Sequence, residues 1–157
     1  MKLKKIKHQI IVAASGYFDP IHSGHINYLR EARKLGDKLI VIVNNDKQAE
    51  LKKEHYFMSI KERKIILASI KYVDEVFVSI DSDKGVSKSL AKIKPNIFAV
   101  GVDNHKKNIP EKYICKKLGI KIVDRLAKNL VNDPSLKQSS SRICQIFLKK
   151  KGVNVRD

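Results

Sequence analysis

The sequence predicts a doubly wound α/β fold, a five-stranded parallel sheet with helices on both faces. Three observations point there. Apolar runs recur that are too continuous for a strand with one wet face, such as Ile10-Ile11-Val12-Ala13-Ala14. Stretches of helical spacing or helix punctuation stand between them. Strand and helix alternate along the whole chain, with neither an internal repeat nor an interdomain linker. The 157 residues, 43% of them hydrophobic, suit one compact domain over 1–157, with its core at about 9–148 and a basic tail at 149–157.

The elements follow in order. Ile10–Ala14 is a strand buried on both faces. After a turn, Ile26, Leu29, Ala32 and Leu35 mark one face of a helix that Gly36 is expected to stop. Leu39–Val43 is a second buried strand, ending in the polar Asn44-Asn45-Asp46. Ser59-Ile60-Lys61-Glu62 is a capping-box pattern that opens a helix carrying Ile65, Ile66, Ala68 and Ile70. Val73–Ser79 reads as a third strand, Val86–Ile93 as a short helix ended by Pro95, and Asn96–Val100 as a fourth strand. Pro110 suits the first turn of a helix that Gly119 closes. Ile120–Val123 is a short fifth strand, and Ser141–Lys151 a terminal helix whose Lys149–Lys151 run complements the helix dipole. The one long irregular stretch, Asp124–Gln138, has a length that ordinarily marks function or mobility.

Lys and Arg total 33 against 16 Asp and Glu, a formal net charge of +17. That excess favours anionic partners: nucleotides, phosphorylated metabolites, nucleic acid or acidic membrane. Lysines are spread over almost every segment, so charge alone does not choose among them. No aromatic-rich RNA-binding signature, zinc-finger spacing or basic run with interleaved aromatics occurs, so a dedicated nucleic-acid role is not expected. No apolar run reaches bilayer length, and the stretch after the basic N-terminus is too short for a signal-peptide core, so no membrane partner is expected. The two cysteines, Cys115 and Cys144, fit no metal or redox spacing and suit a reducing, cytoplasmic setting.

The chemistry concentrates in Gly16-Tyr17-Phe18-Asp19-Pro20-Ile21-His22-Ser23-Gly24-His25, between the first strand and the first helix. A doubly wound fold binds phosphates at that place. Gly16 lets the backbone approach a ligand closely. His25 is expected to begin the helix, whose N-terminus offers free N–H groups and a positive dipole. His22 and His25 stand three residues apart around the Ser23-Gly24 bend. Two imidazoles there can donate to a polyphosphate and stabilise negative charge that grows on an α-phosphate and a leaving pyrophosphate. Transfer of this kind needs positioning and charge neutralisation, and no protein nucleophile. A zinc half-site is the competing reading of His-x-x-His, but no Cys or further His sits at ligand spacing.

These ten residues resemble the signature of the HxGH nucleotidyltransferase superfamily, in its cytidylyltransferase-like branch. The resemblance runs from about Ile10 to Ile146 and implies a Rossmann-like nucleotidyltransferase fold. It implies that His22 and His25 are the catalytic histidines. Asp19 is implied to order the phosphate site and help place Mg²⁺ bridged by nucleotide phosphates, with no metal held by protein ligands alone. Gly16, Tyr17, Phe18, Asp19 and Gly24 then belong to the nucleotide site. Asn44–Lys53 resembles a loop that carries a phosphate-binding lysine, at Lys52, with Lys53 beside it. Arg63 matches an arginine that meets phosphate. Gly101 and Asp103 resemble a nucleotide-binding G-x-D segment. Gln138-Ser139-Ser140-Ser141-Arg142-Ile143 resembles the second signature, whose Ser139, Ser140 and Ser141 hold phosphates at a helix start.

Four positions depart from the branch pattern. Val102 and Asn104 replace a small or acidic residue and an aromatic, Glu54 replaces a second lysine, and Cys144 replaces an arginine of mononucleotide adenylyltransferases. The choice between CTP and ATP therefore stays open. The expected activity is transfer of a nucleoside monophosphate from CTP or ATP to a phosphorylated small alcohol or sugar, with release of pyrophosphate. A cytidylyltransferase of the glycerol-phosphate or heptose-phosphate type is favoured. The alternatives are an adenylyltransferase making FAD or a related dinucleotide and, in another class, a non-catalytic nucleotide- or RNA-binding protein. Mg²⁺ is the expected cofactor, and the resemblance implies a homodimer.

Overall fold

The computed structural model describes residues 8–53, 56–101, 109–126 and 140–150. The elements are β1 (Ile11–Gly16), α1 (Ser23–Arg33), β2 (Lys38–Val43), α2 (Asp46–Lys53), α3 (Ile60–Ala68), β3 (Glu75–Val78), α4 (Ser87–Ile93), β4 (Ile97–Gly101), α5 (Lys112–Leu118), β5 (Lys121–Leu126) and α6 (Ser140–Lys150). The strands form one sheet in the order β3-β2-β1-β4-β5, and all four pairings are parallel. The expected five-stranded, doubly wound α/β architecture is therefore present. Among the described residues no helix is long and apolar enough to cross a membrane.

Alternation along the strands divides the core in two. Val12, Ala14, Leu39, Val41, Val43 and Ala99 face α1 and α3, where Tyr28, Leu29, Ala32 and Leu67 meet them. Ala13, Ile42, Phe98 and Val100 face the other way, against Val86, Leu90, Cys115 and Ile120 around α4 and α5. A parallel strand covered on both faces must be apolar at every position, which is why these runs lack polar alternation. Burial pushes the Cys115 thiol up to about 11, with Glu111 adding to it, so the thiol is unreactive.

Several boundaries moved for physical reasons. β1 extends past Ala14 because Ser15 and Gly16 stay in register with Ile42 and Val43. α1 begins at Ser23, with His22 rather than His25 at its entry. Gly36 does not cap α1, which ends at Lys34. A Cβ on Gly36 would lie 2.7 Å from both the Ile10 carbonyl oxygen and Val12 Cγ2, so this glycine serves the close approach of the chain to β1. Gly119 does take the left-handed conformation expected of a helix stop, at φ 68°.

Two expectations were incomplete. The capping box of α3 is present: Ser59 N donates to Glu62 Oε2 at 3.1 Å and Ser59 Oγ accepts from Glu62 N at 3.4 Å. The helix, however, buries Arg63 and Leu67, leaves Ile65 68% exposed and ends before Ile70. The segment expected as a loop from Asn44 to Lys53 contains the whole of α2.

Candidate active site

β1 and β4 are adjacent in the sheet, and the chain leaves them toward opposite sides, so a crevice opens beyond their C-terminal ends. The signature loop occupies it. Phe18 is buried at φ 51°, a conformation uncommon outside glycine. Its ring lies on Gly16, where a Cβ would meet Phe18 Cε2 and Cζ at 3.0 Å. Gly16 is thus required by the loop itself, and Phe18 is its buried anchor. Asp19 is 1% exposed. Its two carboxylate oxygens accept from the backbone N–H groups of Phe57 and Met58, each at 2.7 Å. This fastens the loop to the entry of α3. A carboxylate that accepts from two amide donors is firmly oriented, so Asp19 ties the signature loop to α3. The Asp19–Pro20 peptide is cis.

The histidines form a reciprocal pair at the start of α1. His22 is the entry residue, in extended conformation, and His25 the third residue of the helix. The His22 backbone N–H donates to His25 Nδ1 at 3.3 Å. With Nδ1 accepting, Nε2 is the ring nitrogen placed to donate. The rings stack with centroids 3.7 Å apart and 29° between planes, and Phe18 meets His25 edge-on at 4.9 Å. Gly24 lies between them in the first turn, where a side chain would project from the helix start. Both imidazoles are therefore collected at the positive end of one helix dipole, the place where a polyphosphate is best accommodated.

Tyr28, one turn beyond His25, fixes that helix to the sheet. Its hydroxyl donates to the Ala99 carbonyl at 2.7 Å and accepts from Ser15 N at 3.2 Å, bridging β4 and β1 at the crevice. Burial holds its phenol far above the usual range, so the hydroxyl remains a donor. Gly101, at the end of β4, lies against the same ring, its Cβ position 3.5 Å from Tyr28 Cδ2.

Arg63, expected to meet phosphate, is tied into the loops around the site. Its side chain is buried and engaged by protein: Nε with the Met58 carbonyl, Nη1 with those of Tyr17 and Asn44, and Nη2 with Asp46 Oδ1 at 2.6 Å. One guanidinium therefore joins the signature loop, the end of β2, the start of α2 and the entry of α3. In the Arg63–Asp46 pair the guanidinium is fully buried and the carboxylate partly exposed. The entry of α2 is a second capping box: Asn45 Oδ1 accepts from Gln48 N at 3.0 Å, and Gln48 Oε1 from Asn45 N at 3.1 Å. The same two amides hold the segment after β3. Asn45 Nδ2 donates to the carbonyls of Ser79 and Asp81, and Gln48 Nε2 to those of Asp83 and Gly85. Sequence reading missed Tyr28, Asn45, Asp46 and Gln48. The Asn45-x-x-Gln48 spacing was the available signal for α2.

Lys52 lies exposed in the last turn of α2, with Nζ 4.2 Å from the centroid of the Tyr17 ring. The lysine and the signature loop are thus brought together. Ser140 is the first residue of α6, and its hydroxyl donates to the Pro20 carbonyl at 2.9 Å. The second signature is therefore docked on the first. Asp103 and Ser139, with Glu54, Val102 and Asn104, lie outside the described residues, as do the side chains of Ser141 and Lys53. No group of three His, Cys, Asp or Glu among the described residues is arranged to hold a metal ion.

The comparisons with known proteins agree with this geometry. The cytidylyltransferase-like family model matches residues 13–146. An FAD synthase of Picrophilus torridus is 32% identical over 140 residues, spanning 87% of this chain and 97% of the relative. The bifunctional protein HldE of Blochmanniella floridana is 42% identical over 101 residues, but that stretch is 21% of its length. A crystal structure of a lipopolysaccharide core biosynthesis protein from Thermoplasma volcanium superposes with a TM-score of 0.67 at 33% identity, covering 76% of this chain and 97% of that one. Two stacked histidines at the helix that leaves the first strand, in a sheet with its crevice between β1 and β4, occur here inside a family match that spans both signatures: the chain belongs to the cytidylyltransferase-like family and is a nucleotidyltransferase.

Proposed function

We propose that the protein is an adenylyltransferase of the FAD-synthase type, which joins the AMP moiety of ATP to flavin mononucleotide. The observation that carries this reading is the FAD synthase relative aligned over 97% of its own length. The stacked His22–His25 pair supplies the chemistry that such a transfer requires. A phosphate oxygen of the acceptor attacks the α-phosphorus of ATP. The bond from that phosphorus to the β-phosphate oxygen breaks, pyrophosphate departs with the electron pair, and no proton need be taken up. His25 Nε2–H and the imidazole of His22 donate to oxygens whose charge rises in the transition state. Lys52 meets phosphate from the α2 side, and free N–H groups at the start of α1 add to the positive field. Asp103, Ser139 and Ser141 complete the nucleotide site in this reading, with Gly101 admitting the nucleotide at the end of β4.

Mg²⁺ fits as a companion of the nucleotide. It binds phosphates readily with few protein ligands. Its chemistry there is neutralisation of phosphate charge. The protein is a homodimer in the cytoplasm in this reading, which sedimentation and fractionation test directly. A sugar-phosphate acceptor is the second reading, favoured by the match to HldE and by the structure from T. volcanium.

The deciding assay is pyrophosphate release with flavin mononucleotide, glycerol 3-phosphate or a heptose phosphate, each with ATP and with CTP. Release confined to ATP plus flavin mononucleotide, with FAD as product, is the expected outcome. Release with a sugar phosphate and not with the flavin would replace it by the second reading. Under the productive pair, His22→Ala and His25→Ala are each expected to lower kcat by about 10²-fold, the scale of losing one preorganised donor. Full activity in either variant would remove the histidine pair from the mechanism.

A further inference from the structure

Arg63 holds two things that the reaction brings together. Its Nη1 binds the carbonyl of Tyr17 at 2.9 Å, and its Nη2 binds Asp46, the first residue of α2. The Tyr17 ring and the helix that carries Lys52 are therefore mounted on one buried guanidinium. The ring is tethered at its far end too, where the Tyr17 hydroxyl donates to the Lys84 carbonyl at 3.4 Å. α2 is anchored to that same segment by Gln48, which binds the carbonyls on either side of Lys84, at Asp83 and Gly85. Between these fixed points Lys52 Nζ lies 4.2 Å from the centre of the Tyr17 ring, well inside the reach of cation–π attraction.

We infer that Tyr17 is a positioning residue for Lys52: its ring is a shelf that holds the ammonium group at the phosphate end of the site before nucleotide arrives. The inference rests on the reading in which Lys52 meets phosphate.

The choice of an aromatic partner has a physical reason. A lysine on an exposed helix end explores many rotamers along a flexible four-carbon stem. A π face attracts the ammonium without adding a negative charge beside the incoming phosphates. Burial, with Asp83 and Glu111 adding to it, pushes the Tyr17 phenol above its usual value. The hydroxyl therefore stays protonated and able to hold the Lys84 carbonyl.

The test compares Tyr17→Leu with Tyr17→Phe. Both lack the hydroxyl, and only Phe keeps the π face. Each is made in the natural chain and in the Lys52→Ala background. Steady-state kinetics of pyrophosphate release with the productive substrate pair, together with NMR of the ligand-free protein labelled at lysine Cε, give independent readouts. Tyr17→Leu is expected to lower kcat/KM by about fivefold, with Tyr17→Phe recovering most of the loss. In the Lys52→Ala background Leu and Phe should be equivalent. One lysine ε-methylene resonance should be displaced upfield by the ring current, vanish in Lys52→Ala, persist in Tyr17→Phe and return to the ordinary position in Tyr17→Leu.

Three results would overturn the inference: a Phe variant as poor as Leu, a Leu-to-Phe difference of the same size without Lys52, or no displaced resonance. A displaced resonance combined with unchanged kinetics in Lys52→Ala would also overturn it, by removing the phosphate role of Lys52 on which it rests. The resonance needs no turnover, so it separates failure of the shelf from failure of the proposed reaction.

Discussion

At the scale of single residues, the site is held by buried groups that bind several segments of the chain at once. Arg63 and Asp19 are the strongest cases. Removing Arg63 leaves Asp46 without its buried partner and the carbonyls of Tyr17, Asn44 and Met58 without donors. Arg63→Ala is expected to cost about 3 kcal/mol in urea-unfolding free energy, with part of the Asp46 charge still reached by water. Arg63→Lys should recover little of it, because an ammonium cannot reproduce the planar fork. Asp19→Asn replaces one accepting oxygen by a donor that faces a backbone N–H, with an expected loss of about 2 kcal/mol by the same measurement. The sequence marked both positions but not their partners, since those are mostly backbone atoms that every residue type carries.

Glu111 gives a residue-scale prediction about pH. Burial raises its carboxyl above the usual value, with Asp81 and Asp83 adding to the shift and the Val86 N–H opposing it. An acid whose folded value lies above its unfolded value holds its proton more tightly when folded. Its contribution to stability is present in full below the unfolded value and is lost as pH rises through the folded one. Glu111→Gln keeps an acceptor for Val86 without the charge. Its Tm is expected to equal that of the natural chain at pH 4 and to exceed it at pH 7.5. Equal Tm values at both pH settings would show that Glu111 carries no such linkage.

At the scale of elements, the legible parts were those with strong local signals. Continuous apolar runs identified β1, β2 and β4, shorter apolar stretches β3 and β5, and Ser59-x-x-Glu62 the entry of α3. α2 was not read because Asp46–Lys53 is a polar octapeptide with little apolar periodicity. Its order comes from its entry box and from tertiary ties through Asp46 and Gln48. Gly36 shows the opposite error, a real signal with the wrong mechanism. It sits after α1, yet what it permits is contact with β1. Gly36→Ala should therefore lower stability by about 2 kcal/mol, measured by thermal or urea unfolding, because the added methyl meets the Ile10 backbone rather than a movable side-chain tip. A substitution that left Tm unchanged would mean that the chain yields there.

At the scale of the molecule, the doubly wound order places both signatures on one rim, although the sequence separates them by most of its length. The fold class was legible because alternation of buried strands and helices admits few other arrangements. The pairing of β1 with β4 then fixes where the crevice lies. What the sequence could not supply was the set of protein ties inside it: Ser140 binds the Pro20 carbonyl and Arg63 that of Asn44. The +17 net charge acts on this whole scale. Nucleotide capture by a strongly cationic surface weakens as salt screens it over about 10 Å at 0.1 M. KM for ATP is expected to rise between 50 and 500 mM NaCl with kcat nearly constant, and a KM indifferent to salt would show that the general field plays no part.

The hydrogen bond from Ser140 to Pro20 spans 120 positions of the chain. The shape of the loop that carries His22 and His25 therefore depends on a helix that the sequence places far away. Loss of the Ser140 hydroxyl would free the loop at Pro20 and so reach the histidine pair from a distance, although Ser140 touches neither ring in this tie.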